Sequence, residues 1–309
     1  MNDVKIEILL ASFQGARFIR EQIDSILHQQ DTRWHLTVSD DGSTDGTTDI
    51  LDAYVQQYPH RISRVRSGQR FGHPRDHFFW LIQQCDAPYM MTCDQDDVWH
   101  PDKVGKTLEA LCEAEKRHGQ QTPILVFADQ TPTDDQLTPL APSLVRYQNQ
   151  YVESFDYRSL LIQNVVTGCA MGFNRALADL ASRCADSRQV IMHDWWMAVV
   201  AARFGQVVYI DQPLSDYRQH GDNSVGAQNV RSLAHKLGKL GKLAQLRAAT
   251  AARKAQAGVF CTTYKEQLND KDMAFLTPFT RRRSGVLFCI RYRACFHGWS
   301  RMLTMVVVG

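Results

Sequence analysis

The chain has 309 residues, a formal net charge of +2, 44% hydrophobic residues and 22% charged residues, which is ordinary for a globular protein with one large α/β domain plus an appendage, or two small domains. No apolar run approaches the roughly 18 residues that a membrane-spanning helix needs, and the alternating polar and apolar residues at the start do not resemble a signal peptide. The eight cysteines form no CxxC pair, which excludes zinc-finger spacing and is typical of reduced thiols in a cytoplasmic protein.

The small net charge conceals an asymmetry between the two parts of the chain. Residues 231–309 contain 15 Lys and Arg residues against three acidic residues, whereas the first 230 residues contain 20 basic and 30 acidic residues. The sequence therefore predicts an acidic body that carries catalytic or metal-binding groups, followed by a basic region that faces phosphates. We expect a domain at residues 1–228 and a basic helical region at residues 229–309.

Short apolar runs alternate with amphipathic helical segments along the first 130 residues. The predicted strands are Ile6–Ala11, Trp34–Ser39, Ile62–Val65, Tyr89–Cys93 and Ile124–Ala128. Strands separated by helical patterns of about 10–15 residues favour βαβ units and a mostly parallel sheet. Further along, Val165–Phe173 and Val207–Ile210 are predicted strands, and His193 opens a predicted helix.

Polar side chains follow three of these strands at the point where each strand ends. Ser12 and Phe13 follow the first strand, Asp41 follows the second, and Asp94 and Asp96 follow the fourth. In sheets of this kind ligands bind outside the carboxyl ends of the strands. We therefore expect these side chains to share one edge of the sheet.

The segment Asp94–Asp97 carries three carboxylates in four residues, directly after an apolar run. Neighbouring carboxylates repel one another and lose hydration when they are buried. A divalent cation with a phosphorylated ligand relieves both effects, because Mg²⁺ and Mn²⁺ take one or two carboxylates together with phosphate oxygens. By itself the segment is equally consistent with an acidic surface turn.

Four sequence segments, in this order and at these intervals, form a more specific pattern. They read ILLASFQG at residues 8–15, SDDGSTD at residues 39–45, CDQDDVW at residues 93–99, and HDWW at residues 193–196 together with YRQH at residues 217–220. The pattern resembles the inverting, GT-A-type glycosyltransferases of family two, above all the rhamnosyltransferase-like members that build bacterial surface polysaccharides. It covers about residues 4–225. The resemblance implies an α/β fold with a Rossmann-like GT-A mixed, mostly parallel sheet flanked by helices, to which the basic C-terminal helical appendage is attached.

The same resemblance implies that Ser12, Phe13 and Asp41 bind the nucleotide of a nucleotide-sugar donor. The ring of Phe13 would pack on the pyrimidine, which suits a flat aromatic face, and Asp41 would accept a hydrogen bond from the base. From the residues alone, Asp41 is also compatible with an Asx turn or a helix cap next to Gly42 and Ser43.

For the diphosphate, the resemblance implies a Mg²⁺ or Mn²⁺ site in which Asp96 is the direct ligand, Asp94 binds the metal or the ribose, and His220 completes the site. Arg218 would contact the leaving diphosphate through a bidentate contact, although a surface ion pair is an alternative. Asp97 is a further candidate, or only a cap of the following turn.

Asp194 is the predicted general base, because an inverting transfer is a single displacement in which one positioned carboxylate takes the proton of the acceptor hydroxyl. A favourable position at the helix N-terminus explains an aspartate there equally well. Trp195 and Trp196 are candidates for lining an acceptor sugar, but neighbouring helix residues cannot face the same way, so one of them is expected in the core.

The basic region contains Leu233, Leu237, Leu240, Leu243 and Leu246 at helical spacing with lysines between them. An amphipathic basic helix binds an anionic membrane surface, or it packs its leucines against the catalytic domain. We expect a peripheral protein at the cytoplasmic face of the inner membrane. We expect no binding of nucleic acid, because no motif for nucleic-acid recognition is present.

The predicted activity is therefore metal-dependent transfer of a sugar to a lipid-linked oligosaccharide in O-antigen or capsule assembly. The favoured donor is dTDP-rhamnose, and a UDP-hexose is the second choice. A sugar-phosphate nucleotidyltransferase is an alternative, although it would normally carry a Gly-rich basic loop where this chain has SFQGAR at residues 12–17. A non-catalytic membrane adaptor is a second alternative, and it would bind no nucleotide.

Overall fold

A computed structural model describes residues 6–184, 186–221, 243–281 and 286–296, and its centre is an eight-stranded sheet. The strands are β1 (Ile6–Ser12), β2 (Trp34–Asp40), β3 (Ile62–Arg64), β4 (Tyr89–Cys93), β5 (Val98–Trp99), β6 (Ile124–Thr133), β7 (Met171–Asn174) and β8 (Gln206–Arg218). Their order across the sheet is β3-β2-β1-β4-β7-β6-β8-β5.

Helices cover both faces of this sheet. They are α1 (Ile19–Leu27), α2 (Thr47–Gln57), α3 (Pro74–Gln83), α4 (Lys103–His118), α5 (Leu144–Tyr147), α6 (Tyr157–Ile162), α7 (Arg175–Ala181), α8 (His193–Phe204), α9 (Leu243–Thr263), α10 (Asp270–Thr280) and α11 (Val286–Arg291). Local chemistry explains several of their ends. Pro74 starts α3, where its missing N–H is not needed, and α4 ends before Gly119, whose φ of 94° is accessible mainly to glycine.

The strands around β1 run parallel, as the sequence predicts. In the β1–β2 pair Ser12 lies opposite Asp40, and in the β1–β4 pair Leu10 lies opposite Cys93. The carboxyl ends of β1, β2 and β4 therefore meet at one edge, which is where the polar residues follow. β7 is antiparallel to β4 and β6, and β5 is antiparallel to β8. The predicted mixed, mostly parallel α/β sheet is confirmed.

The predicted strand Val165–Phe173 is wrong in its first half, because the strand begins only at Met171 after a 3₁₀ helix at Gly168–Ala170. Apolar side chains are buried in either conformation, so hydropathy does not separate the two. Gly172 is needed in β7 because a Cβ there would lie 2.5 Å from Cγ2 of Thr107. At the other end of the domain, β8 continues through Arg218, one residue beyond the start of the predicted polar loop.

Side chains of β1 enter two apolar cores on opposite faces of the sheet. Ile8 and Leu10 pack with residues of α1, α2 and α4, whereas Leu9 packs with residues of α3, α7 and α8. Burial on both faces explains why the strand is a continuous apolar run in the sequence.

The described part of the basic region packs on the core that contains residues of α3, α7 and α8. Phe260 and Tyr264 of α9 are buried, with ring centroids 6.0 and 5.8 Å from that of Trp196. Asp272 of α10 lies 2.5 Å from Arg203 of α8. The predicted boundary at residue 228 and most of the leucines of the predicted amphipathic helix lie outside the described residues. Within the described ranges, no helix is long and apolar enough to cross a membrane.

Candidate active site

A cavity of about 510 Å³ opens at the carboxyl ends of β1, β2 and β4. Six residues of the predicted site line it, namely Ser12, Phe13, Asp41, Asp94, Asp96 and Asp194. The other two predicted site residues do not line the cavity but contact Asp96, His220 through the carboxylate and Arg218 through the backbone carbonyl. The structure therefore brings six of the eight predicted site residues to a single cavity.

Phe13 presents its ring at the mouth of the cavity. The side chain is 41% exposed, and the guanidinium of Arg70 lies 4.7 Å from the ring centroid. The Gln95 side chain fixes the main chain beneath the ring, since its Oε1 accepts the Phe13 N–H at 2.9 Å and its Nε2 donates to the Phe13 carbonyl at 3.0 Å. A Cβ at Gly15 would lie 2.3 Å from that Oε1, so this arrangement requires glycine there.

Asp41 is buried and does not form an Asx turn. Its carboxylate accepts the backbone N–H groups of Phe71 and Gly72 at 2.5 and 2.7 Å, and so holds the loop before α3 against the cavity. Asp40 is the residue that accepts the N–H groups of residues 42–43. The alternative of an Asx turn therefore applies to the neighbouring aspartate, whereas Asp41 faces the cavity.

Ser12 lines the cavity and also forms a hydrogen bond with Asp40. Its buried hydroxyl donates to Oδ1 of Asp40 at 3.0 Å, which links the ends of β1 and β2. Below it, Nε2 of His77 lies 2.8 Å from Oγ of Ser39. Burial lowers the pKa of His77, so its imidazole is a neutral part of the cavity floor.

The carboxylates of the acidic segment interact strongly. Ligand atoms of Asp94, Asp97 and Cys169 all lie within 4.8 Å of one another. Burial, followed by the charges of Asp96 and Asp97, raises the pKa of Asp94 well above its usual range. Burial and the charge of Asp96 raise the pKa of Asp97 to about 7. These shifts record unfavourable charge that a bound cation would relieve.

Asp97 is anchored differently from its two neighbours. It is 1% exposed, and its Oδ1 accepts the backbone N–H of Arg218 at 3.2 Å. It therefore joins the acidic segment to the end of β8 and does not cap the following turn. Its Oδ2 has no hydrogen-bond partner among the residues that the structure describes.

Asp96 pairs with His220, so the structure brings these two predicted metal ligands into contact. Nε2 of His220 lies 2.8 Å from Oδ2 of Asp96, and both side chains are mostly buried. The ring of Phe18 packs on the imidazole with a centroid distance of 4.8 Å. The packing fixes the direction of the imidazole toward the acidic segment.

The side chain of Arg218 is committed elsewhere. Its guanidinium donates to the backbone carbonyls of Asp96 and Asp135 at 2.8 Å each, contacts Glu21 at 2.5 Å, and lies 4.5 Å from the ring centroid of Phe18. The residue is 2% exposed. It therefore holds the backbone of the acidic segment, and its predicted contact with a leaving diphosphate stays a prediction.

Asp194, at the first turn of α8, also lines this cavity. Its Oδ2 accepts from Nδ2 of Asn164 at 3.2 Å, and its Oδ1 accepts the N–H of Trp195 at 2.6 Å. Burial raises the pKa of Asp194 to about 6 although these hydrogen bonds lower it. Trp195 lines the cavity and Trp196 is fully buried, so the expected division between the two tryptophans is confirmed.

Comparison with known proteins agrees with this geometry. Residues 7–180, more than half of the chain, match the profile described as glycosyl transferase family 2. The chain belongs to this family.

Two relatives in the family are informative. The chain is 28% identical over 235 residues to the dTDP-rhamnosyl transferase RfbG of Shigella flexneri, covering 71% of this chain and 74% of that protein. It is 26% identical over 168 residues to the putative teichuronic acid biosynthesis glycosyltransferase TuaG of Bacillus subtilis (strain 168), covering 53% of this chain and 59% of that protein. The alternatives of a nucleotidyltransferase and of a non-catalytic adaptor find no support in these similarities.

Solved structures share the fold at low identity. The S. aureus protein TarS, residues 1–349, in complex with UDP superposes with a TM-score of 0.56 at 10% identity, over 98% of this chain and 90% of that one. The mannosyltransferase PcManGT from Pyrobaculum calidifontis, in complex with GDP-Man and Mn²⁺, superposes with a TM-score of 0.52 at 14% identity, over 98% and 86% of the two chains. The predicted GT-A fold of this family-2 chain is confirmed.

The donor set of the family-2 site fits a hard divalent cation. Carboxylate oxygens of Asp94 and Asp96 and the imidazole of His220 are ligands that Mg²⁺ or Mn²⁺ accepts. Cys169 fits poorly, because burial raises the pKa of its thiol well above the ordinary value and only the thiolate is a good ligand. Asp94, Asp96 and His220 stay the predicted ligands, and the carboxylate that the structure places beside that of Asp94 is the one of Asp97.

Lys103, at the start of α4, was not found by sequence reasoning. It is fully buried, and its Nζ donates to the Cys169 carbonyl at 2.7 Å and to Oγ of Ser215 at 3.2 Å, while lying 4.1 Å from the ring centroid of Trp99. Burial lowers the pKa of Lys103, and its charge lowers that of Asp97. A lysine within an amphipathic pattern is normally solvated, so no sequence signal identifies this buried cation below the acidic segment.

Proposed function

We propose that this family-2 glycosyltransferase transfers one sugar, with inversion at its anomeric carbon, from a nucleotide donor to a hydroxyl of a lipid-linked oligosaccharide in bacterial surface-polysaccharide assembly. The favoured donor is dTDP-rhamnose, with a UDP-hexose second. Similarity to the Shigella dTDP-rhamnosyl transferase supports the first donor, and the UDP complex of TarS is a precedent for the second in this fold.

The observation that carries the proposal is that the predicted donor-site residues Phe13, Asp41, Asp94 and Asp96 and the predicted base Asp194 all line one cavity. An inverting displacement needs an acceptor hydroxyl on the side of the anomeric carbon opposite the leaving group. We assign the nucleoside diphosphate to the acidic segment and the acceptor hydroxyl to Asp194.

Asp194 is the general base in this proposal. Above about pH 6 its carboxylate is ionised, and a carboxylate within hydrogen-bond reach of the acceptor hydroxyl takes the proton as the new glycosidic bond forms. Asn164, through its bond to Oδ2, holds the carboxylate in one orientation. The helix N-terminus, which was the alternative explanation for this aspartate, is compatible with the role because it stabilises the ionised form.

The leaving group is a nucleoside diphosphate. When bound, a Mg²⁺ or Mn²⁺ ion held by Asp94, Asp96 and His220 supplies stabilisation of the charge that develops on the diphosphate. Arg218 holds the backbone of Asp96 in place, and we assign it that supporting role. Phe13 stacks on the base, while Asp41 accepts its N–H in addition to the two backbone N–H groups that it already binds.

Donor turnover by the purified protein tests the function. The protein is incubated with a panel of dTDP- and UDP-sugars, a lipid-linked acceptor and either Mg²⁺, Mn²⁺ or a chelator, and the released nucleotide is identified. Release of a nucleoside diphosphate that requires the metal and is lost in Asp96→Ala supports the proposal. Asp52→Ala, which alters a half-exposed carboxylate on α2, is the matched control. Pyrophosphate as the product, or no binding of any nucleotide, contradicts it.

We further propose that residues 229–309 give the enzyme peripheral contact with the cytoplasmic face of the inner membrane, where lipid-linked acceptors reside. The excess of 15 basic over three acidic residues beyond residue 230 supports this, because Lys and Arg near an anionic bilayer each contribute about 1 kcal/mol. Flotation with anionic vesicles at low salt, compared with neutral vesicles, tests the contact. Equal recovery with both vesicle types contradicts it.

A further inference from the structure

His193, the residue before the proposed base, has no role in the chemistry described so far. It lines the same cavity and is 2% exposed. Neither its Nδ1 nor its Nε2 has a hydrogen-bond partner among the residues that the structure describes. An imidazole with both nitrogens unpaired at the wall of a binding cavity is an uncommon arrangement, because nearly all buried polar atoms are satisfied in native proteins.

The surroundings of the ring fix its direction. One face stacks on Phe78 with a centroid distance of 4.2 Å and an interplanar angle of 27°. Its edge faces Gly168, where an added Cβ would lie 3.0 Å from Nε2 and 3.2 Å from Cε1. Glycine at position 168 therefore leaves space beside Nε2, and the side chain of any other residue would reduce that space.

The imidazole of His193 is neutral near pH 7, because its pKa is lowered. Burial, followed by the nearby charge of His73, lowers the pKa of His193 to about 3. A neutral imidazole has one N–H donor and one unprotonated nitrogen that accepts. The imidazole can therefore either donate a hydrogen bond to a hydroxyl group or accept one from it, but it does not form an ion pair with a phosphate.

Packing alone does not account for a histidine at this position. Leaving a buried donor or acceptor unpaired costs roughly 1–3 kcal/mol, and a phenyl ring would form the same stack on Phe78 without that cost. A ligand in the cavity would satisfy these polar atoms. The same cavity is also lined by Gln148, Gln150 and Trp195, and a lining of amide and aromatic side chains suits a ligand with several hydroxyls and an apolar face.

We propose that His193 is a sugar-binding residue whose neutral imidazole hydrogen-bonds a hydroxyl of the sugar that lies next to Asp194. The inference rests on the proposed glycosyl transfer and adds to it a residue that selects the sugar. The hydroxyl belongs either to the sugar being transferred or to the acceptor sugar. Both present the same chemistry to the imidazole, and kinetics with each substrate distinguishes them.

The experiment compares His193→Phe and His193→Gln with the wild-type enzyme. Phe keeps the stack on Phe78 and removes both nitrogens, whereas the amide of Gln restores one donor and one acceptor. We expect kcat/KM to fall about tenfold in His193→Phe, as for the loss of one hydrogen bond to a substrate, and to recover in part in His193→Gln. The melting temperature of His193→Phe is expected to equal or exceed that of the wild type. His60→Phe, at an exposed loop position, is the control.

Two kinetic arms locate the hydroxyl. If it belongs to the transferred sugar, the KM of the donor rises and acceptor-independent hydrolysis of the donor slows. If it belongs to the acceptor, only the KM of the acceptor rises. Unchanged constants for both substrates in a folded His193→Phe enzyme overturn the inference and leave the proposed function intact. A wild-type protein that releases nucleoside diphosphate from no donor overturns the proposed function itself.

Discussion

Nε2 of His220 lies 2.8 Å from Oδ2 of Asp96, although 124 residues separate them in the sequence. Without a cation, the imidazole is the natural hydrogen-bond partner for a carboxylate that is also repelled by neighbouring aspartates. A divalent cation accepts the same two atoms as ligands. The two proposed ligands are therefore already in contact, with Phe18 packing on His220 and Arg218 holding the backbone of Asp96.

The first prediction concerns this pair. His220→Ala removes one proposed ligand, so we expect the Mn²⁺ concentration for half-maximal transfer to rise by about 10–100-fold, while saturating metal restores much of the rate. Asp96→Asn removes the charge as well and is expected to reduce transfer at saturating metal about 100-fold or more. Transfer rates measured over a metal titration check both. A His220→Ala enzyme with an unchanged metal dependence contradicts the assignment.

The second prediction is a pH dependence of transfer. Because Asp194 acts only when ionised and its pKa in the free enzyme is raised to about 6, kcat/KM is expected to fall about tenfold per pH unit below pH 6 and to level off above it. Asp194→Asn is expected to lower kcat by roughly 10²–10⁴-fold and to remove this acidic limb. Asp179→Asn, on the exposed side of α7, is the control. A limb that persists in Asp194→Asn belongs to another group.

The third prediction is the effect of the same substitution on stability. The pKa of Asp194 is raised from 3.8 to about 6 in the folded protein, so the stability that comes from its protonated form is complete below about pH 4 and is lost as the pH rises through 6. Asparagine avoids this loss. Asp194→Asn is therefore expected to melt at a higher temperature than the wild type at pH 7, with the difference shrinking toward pH 4. A variant that is less stable at pH 7 contradicts this reasoning.

Much of this site can be predicted from the sequence because the sequence shows where the strands end. Phe13, Asp41 and Asp94 each follow an apolar run, and parallel pairing brings such ends together whatever the details of the helices. The direction of a long side chain is not readable in this way. Arg218 is next to the site in the sequence, yet its guanidinium extends back to Glu21, a partner 197 residues away that no local pattern indicates.

Buried polar residues on helices are the other part that the sequence does not reveal. Lys103 and His193 each occupy the first position of a helix, where polar residues are usual and normally solvated. Their burial depends on elements that pack over them from distant parts of the chain, such as the 3₁₀ helix at Gly168–Ala170, whose carbonyl at Cys169 accepts from Lys103. Only tertiary packing distinguishes these two residues from ordinary helix-end residues.

The fourth prediction concerns Lys103. Lys103→Met removes the buried donor to the Cys169 carbonyl and to Oγ of Ser215 and a charge that favours the ionised form of Asp97, so we expect a loss of about 1–3 kcal/mol in the free energy of unfolding, as for buried polar groups left unpaired. Lys106→Met, one turn further along α4 and partly exposed, is expected to change it by less than about 0.5 kcal/mol. Urea titrations of both variants check this. Equal midpoints contradict the role of Lys103.

The last prediction tests whether the described C-terminal helices belong to the catalytic fold. Phe260 is fully buried among Trp196, Phe204 and Tyr264, so Phe260→Ala is expected to destabilise the protein by about 3–5 kcal/mol through lost contacts and the resulting cavity. Met273→Ala, at a position 40% exposed on α10, is the control and is expected to have little effect. If α9 were an independent appendage, Phe260→Ala would leave the unfolding of the nucleotide-binding domain unchanged. Thermal unfolding is measured with UDP or dTDP present, so that the transition of the domain that binds the nucleotide can be identified. If this transition has the same temperature in Phe260→Ala as in the wild type, the two parts of the chain on either side of the predicted boundary unfold independently.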